Sequence, residues 1–508
     1  VPTVHHLPEN PRLDRLRGEA RTLQRAVQAG DPAAVARVQR QHPDGVPADP
    51  TTFRLTTAQL VVAREYGLPS WPRLRRYLDL VTDHGWDGTS ANRPANDPAD
   101  ELCRLGCLTY QPDGPDRWAR ARRLLAEHPD LTRDHVWAAA TAAQPAPVRR
   151  LLDADPALAR RRGGPYHWTP LFHLAYSRLD PAVPADAVLT VARQLLDAGA
   201  SPAEGYLWNG RPYPFTLLTG VFGEGELGPE RQPRHPHSIA LARLLLDAGA
   251  DPNDSQTLYN RQFGSDDDHL ELLLAHGLGT GDDYPWRARM GDLLDPPAEL
   301  LRVQLRWAIW HDLPHRVQLL VRHGVNFRSP FPAHPSEGLP DDQRTPVELA
   351  ALCGYTGIVD FLTGQGAHPP ALDPAGGLVA AAFRGDRATV DRLRAAHPEA
   401  VEQARRDRPG LIVWAAGRGR TDTVALLAEL GFDVNARGRG DVPVEGGRDT
   451  ALHYAAVHGD LDLARLLLSL GADRDAVGGY DATPLGWARY GGHRPTIKLL
   501  TEAPDRTP

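Results

Sequence analysis

Apolar positions along this chain come in short bursts that share an ending. Runs of leucine, alanine and valine two to three helical turns long close on a glycine: LLDAGA at 195–200 and again at 245–250, and LLSLGA at 467–472. Looser copies are LLAHGL ending at Leu278, LLVRHGV ending at Val325 and LLAELGF ending at Phe432. A second phrase precedes them, as RTPVELAALCGY at 344–355, DTALHYAAVHGD at 449–460 and ATPLGWARYGGH at 482–493. This pattern predicts pairs of short helices broken by a glycine turn and repeated along the chain.

Local chemistry agrees with the pattern. Thr450 and Thr483 stand where a helix begins, and Pro484 follows at the first helical position, where a missing N–H costs nothing. Gly459 and Gly492 mark the turn inside a pair. Gly199, Gly249 and Gly471 lie just past a second helix, where a left-handed cap favours glycine. Helices this short are unstable alone in water and must bury their apolar face on the next pair.

These phrases resemble the ankyrin repeat, most closely at 449–476 and well at 344–369, 410–436 and 482–500. Stretches near 168–203, 214–253, 255–278 and 299–326 keep the second helix and depart in the first. Segments 101–131, 132–159 and 376–401 are repeats by pattern only. The resemblance implies an all-α solenoid of about ten to twelve helix–turn–helix repeats, with long loop insertions and an N-terminal helical cap. The cap is expected over 1–84, as ankyrin-like helix pairs. A linker follows at 85–98, then the array at 99–500 and a polar tail at 501–508. Insertions at 178–186 and 223–238 lengthen inter-helix turns. Those at 203–214, 279–298, 327–344 and 434–449 lengthen the inter-repeat loops, which in this family form hairpin fingers.

Composition narrows the function. The net charge is −7 with 57 Lys and Arg against 64 Asp and Glu, so no bulk basic face for nucleic acid is expected. Lys498 is the only lysine; arginines spread along the chain fit a GC-rich, bacterial coding bias, and Val1 fits a literally translated GTG start. No apolar run approaches the ~18 residues of a membrane span, and the first twenty residues lack a secretory signal core. Three cysteines, Cys103, Cys107 and Cys353, cannot build a disulfide framework and fit a reducing, cytoplasmic setting.

Catalytic motifs are missing from the sequence: there is no GxSxG elbow, no Walker A loop and no GxGxxG fingerprint after a strand. No catalytic residue, cofactor or metal is expected. Cys103 and Cys107 share a helix face without further ligands, and His235 and His237 lack a third. Asp266, Asp267, Asp268 and His269 stand at a helix start, where a cap is the plain reading and a cation site the alternative. By the family resemblance, His453 bonds backbone between repeats.

Two regions are candidate binding surfaces. Trp414, Tyr454 and Trp487 share one register of the first helix, packing between repeats or forming a contact strip. Arg418, His458, Arg489 and Tyr490 point to the same concave groove by family geometry. The finger 434–449 adds Arg437, Arg439, Asp441, Glu445 and Arg448. The alternative is a pocket in the divergent central repeats, about 200–310, built from Tyr259, Asn260 and Arg261 with Trp208, Trp286 and Trp307. The structural reading of Tyr259, Asn260 and Arg261 is that they bond neighbouring loops. The expectation is a monomeric, non-catalytic scaffold binding a protein or peptide through concave helices and fingers. Competing classes are an enzyme or small-molecule receptor using the central pocket, and an immunity or antitoxin-type binder.

Overall fold

The computed structural model describes residues 12–42, 45–111, 113–281, 283–332, 344–443 and 446–502. The chain divides into two units, 1–301 and 302–508, with the division inside the helix Pro297–Trp310. No described helix is long and apolar enough to cross a membrane.

The first unit opens with two helix pairs, Leu13–Gln28 with Pro32–Gln41 and Leu55–Glu65 with Trp71–His84. They share a core of Ala20, Leu23, Val27, Val38, Phe53 and Val61. Asp31 and Ser70 cap the second helix of each pair, and proline follows in its first turn. Five further pairs run from Pro98–Gly106 with Pro115–Glu127 to Ser255–Gln262 with Asp268–Ala275. Their first helices pack on one another in succession, the repeat-on-repeat stacking of a helical solenoid.

A small sheet departs from the all-helical expectation. Strand β1 (Gly85–Trp86) runs parallel to β2 (Gly205–Trp208), which pairs antiparallel with β3 (Pro214–Thr216). The hairpin β2–β3 is the expected finger at 203–214, drawn into a sheet by a strand from the 85–98 stretch. Burial explains its order: Tyr206, Leu207, Trp208 and Phe215 are all buried. Gly88 lies flat on the Trp208 ring, where a Cβ would stand 2.9 Å from Nε1. Helix Trp71–His84 rests on this finger and on the short helix Pro285–Met290 that follows the last pair. Leu74, Tyr77 and Leu78 close a core there with Leu207, Trp286 and Met290. The Tyr77 hydroxyl donates to the Gly210 carbonyl at 2.5 Å.

The second unit continues with Pro314–Arg322, Pro346–Leu352 with Thr356–Gly364, and Pro374–Arg384 with Arg387–Ala396. A third helix, Pro398–Asp407, is inserted before Leu411–Gly417 with Thr421–Glu429, Ala451–His458 with Leu461–Ser469, and Pro484–Tyr490 with Arg494–Thr501. Thr345 and Thr450 form capping boxes with Glu348 and His453, and Thr483 caps Pro484–Tyr490. The far ring nitrogen of His453 bonds the Ala482 carbonyl of the next repeat at 3.2 Å, the inter-repeat role expected of it. Gly199, Gly249 and Gly471 have φ of +94°, +102° and +90°, in keeping with their place past a second helix. All three cysteines are buried and unpaired as disulfides.

Candidate binding surface

In the first unit, the divergent residues Tyr259 to Arg261 serve an insertion. Residues 223–238 leave the helix Leu217–Phe222 and fold over Ser255–Gln262. Arg261 has no exposed side-chain surface; it pairs with Glu224 and, at 2.5 Å, with Asp266. Arg234, also on the insertion, reaches Asp268 at 2.8 Å. The Tyr259 hydroxyl donates to Glu226 at 2.5 Å. Arg178 is fully buried and satisfied by main-chain carbonyls, with Pro233 and Gly220 at 2.6 Å and Ser177 at 2.8 Å. Burial pushes its guanidinium down to about 10. Asn260 donates to the Tyr110 hydroxyl, which donates in turn to the Thr219 carbonyl.

The aromatic candidates have different neighbours. Trp208 packs on Phe215 and Trp86, with ring centroids at 5.4 and 6.2 Å. Trp286 meets His84 edge-on at 5.2 Å. Trp307 belongs to the second unit and stacks on His311 at 3.9 Å. A cavity beside Trp286, lined by Thr216, Asp251, Asp254 and Arg287, measures about 20 Å³, room for one water. Burial lifts the Asp251 carboxyl to about 6 and raises that of Asp254, which accepts hydrogen bonds from Thr216 and Thr219. The acidic run at 266–268 makes no side-chain cap at its helix start; Asp266 and Asp268 are taken up by Arg261 and Arg234.

In the second unit, the expected aromatic strip is only partly a surface. Trp414 is 1% exposed and its ring lies on Phe383 at 4.5 Å, so it is core rather than groove. Its contact is packing between repeats; beside it, Gly438 of the finger lies against Gly410 and Val413, and Gly440 against Gly417. Gly440 lies on the Tyr454 ring, and burial pushes the Tyr454 hydroxyl up to about 12. Tyr454 and Trp487 meet edge-on at 5.5 Å and are half-buried. Arg418 donates to the His311 carbonyl at 3.2 Å. His458, Arg489 and Tyr490 are exposed, Tyr490 to 79%. Within the finger, Arg439 pairs with Asp441 at 2.6 Å, Arg437 donates to the carbonyls of Arg448 and Val477, and Arg448 pairs with Asp481. Glu445 lies outside the described residues.

Sequence reasoning missed Tyr480. It stands in the next inter-repeat loop at φ +57° and is 96% exposed. Its signal was the Gly-Gly-Tyr-Asp run at 478–481, an aromatic in a turn with nothing apolar nearby to bury it. His311 was also missed. It ends the helix bearing Trp307, and burial lowers its imidazole to about 4.

A family model for ankyrin repeats, in three copies, matches residues 378–477. The chain carries ankyrin repeats. The palmitoyltransferase Hip14 of Drosophila melanogaster is 41% identical over 93 residues, which is 18% of this chain and 14% of that protein. Human palmitoyltransferase ZDHHC13 is 36% identical over 92 residues, again 18% and 14%. The E3 ubiquitin-protein ligase Ufd4 of Drosophila melanogaster is 37% identical over 93 residues, 3% of its length. The chain thus spans 14% or less of the length of these relatives.

Proposed function

We propose that this chain is a non-catalytic scaffold that binds a protein or peptide partner, and that the partner surface lies on the last repeats of the second unit. Ankyrin repeats generally mediate protein–protein interaction. The observation that carries the placement is the exposure of Tyr490, with Arg489 and His458 also exposed, and of Tyr480 in the loop before the helix Pro484–Tyr490. Aromatic and arginine side chains supply most of the affinity at interface centres. The central candidates support the alternative pocket less well: their charges pair with one another around a folded-back insertion, and the cavity beside Trp286 has room for a single water. The catalytic activities named in the relatives are not proposed for this chain, since the shared stretch is a small part of each.

The test uses a partner captured by cross-linking and confirmed with purified components. Tyr490→Ala with Arg489→Ala leaves folding intact by circular dichroism and weakens binding at least about 30-fold, roughly 2 kcal/mol, by isothermal titration. Wild-type affinity in that double variant and in Tyr480→Ala would move the surface elsewhere.

A further inference from the structure

The inner surface beside Tyr490 is open at its edge and covered in its middle. Residues 436–443 lie across the first helices of two neighbouring repeats, and the contact is backbone on backbone. A Cβ on Gly417 would fall 2.2 Å from the Gly440 carbonyl oxygen and 2.4 Å from its Cα. A Cβ on Gly438 would fall 3.0 Å from the Gly410 Cα. Gly440 sits on the Tyr454 ring, where a Cβ would be 2.6 Å from the aromatic carbons. Only glycine on both sides permits this approach. The stem of the segment is held by Gly438 N–H to the Asp449 carbonyl at 2.9 Å, by Arg437 to two carbonyls and by buried Val442. Gly446 and Gly447, at φ +92° and +154°, flank it.

This arrangement has the form of a bound ligand supplied in cis. The seat comprises the bare backbone at Gly410 and Gly417 and one aromatic face at Tyr454. Its occupant is a non-helical run of alternating arginine and glycine ending in aspartate, Arg437 to Asp441. We infer that residues 436–443 are a displaceable strap on a peptide-binding groove, and that a partner enters it by replacing the strap with a non-helical, glycine-bearing segment of its own. This deepens the scaffold reading and rests on it.

The probe is a labelled peptide with the strap's own sequence, residues 437–442, tested against the full chain. Gly440→Val cannot sit on Tyr454 and leaves the seat itself unaltered. The expected result is at least tenfold faster tryptic cleavage after Arg439 in this variant, with at least tenfold tighter peptide binding by fluorescence anisotropy than in wild type. Gly417→Val releases the strap equally but fills the seat, so cleavage accelerates and the peptide does not bind. Unchanged cleavage in Gly440→Val, or loss of helical circular dichroism, shows that the strap is fixed core and overturns the proposal. Faster cleavage without peptide binding, or equal binding to Gly417→Val, overturns the groove. None of these readouts requires the natural partner, so their failure is separable from that of the Tyr490 and Arg489 test.

Discussion

The Tyr110 hydroxyl accepts a hydrogen bond from Asn260 Nδ2 at 3.0 Å, joining side chains 150 residues apart. Tyr110 sits in the inter-helix turn of the first array repeat, at φ +53°, and reaches the fourth and fifth through Thr219 and Asn260. In a stack where each repeat contacts its neighbours, such a bond couples units that would otherwise be independent. Tyr110→Phe removes the donor to Thr219 and the acceptor for Asn260. It is expected to destabilise the first unit by about 1–3 kcal/mol. Because both residues act through one bond, Tyr110→Phe combined with Asn260→Ala costs less than the sum of the two, and thermal unfolding of the four-species cycle measures that shortfall. Additive losses would show that the bond contributes nothing.

Arg261 is the charge on which the insertion at 223–238 depends. It is fully buried and holds Glu224 and Asp266 together, with Arg234 completing the set through Asp268. Removing Arg261 leaves Glu224, 13% exposed, without its cation, while Asp266, 53% exposed, is re-solvated, at about 1–3 kcal/mol. Arg261→Met is expected to fall in that range by chemical denaturation. Arg261→Lys recovers little, because a single ammonium cannot replace a planar fork reaching two carboxylates. Full recovery by lysine would mean that charge alone, without the fork geometry, suffices.

The repeats were legible where glycine kept its place and faint where it did not. In the turn inside a pair, Gly459 has φ +68°, and the matching turns at 143 and 312 hold Ala143 at +49° and Asp312 at +53°. The backbone is the same while the letter that announces it is gone, so 299–326 showed only its second helix and 132–159 was a repeat by pattern only. The burial of Arg261 and Asn260 was suggested by polar residues in an alanine position, and the structural reading, bonding to long loops, is what the contacts show. Their partners Glu224 and Tyr110 were not legible, because nothing local in sequence marks a contact made across tens of residues. The misplacement of Trp414 has the same origin. The family phrase places it on the first helix, but nothing in the phrase tells whether the ring packs between repeats, as it does on Phe383, or faces the groove.

Gly471 gives a local test of that register. It has φ +90°, with nothing within 4 Å of where a Cβ would be, so steric room is not the constraint. Strain alone is expected to make Gly471→Val destabilising by roughly 1–2 kcal/mol, read as a lower Tm for the second unit. The converse holds at Asp312, which is exposed and already left-handed: Asp312→Gly is expected to leave stability unchanged or raise it by up to about 1 kcal/mol. An unaffected Tm in Gly471→Val would remove the strain argument at both positions.

Acid should loosen the fold through histidines that burial keeps neutral. His173 is fully enclosed between Cys107 and the Gly163 carbonyl, and desolvation lowers its imidazole to about 3; that of His311 falls to about 4. In the unfolded chain both titrate near 6.5. As pH falls below that value the unfolded state takes up protons that the folded state refuses. Stability is therefore fully present above about 6.5 and drains away toward pH 4, by up to about 1.4 kcal/mol per histidine per pH unit. Asp251 acts in the opposite sense. Its carboxyl is held up to about 6 by burial, so the folded state binds the proton first and gains stability as pH falls from 6 toward 4. The expected result is a lower Tm at pH 5 than at pH 7. His173→Gln keeps a donor for Gly163 without a titrating ring and shrinks that difference. Asp251→Asn mimics the protonated carboxyl at every pH, deletes the opposing gain and widens it. A Tm that is flat between pH 7 and 5 in wild type, and unmoved by either substitution, would mean that these side chains are solvated in solution.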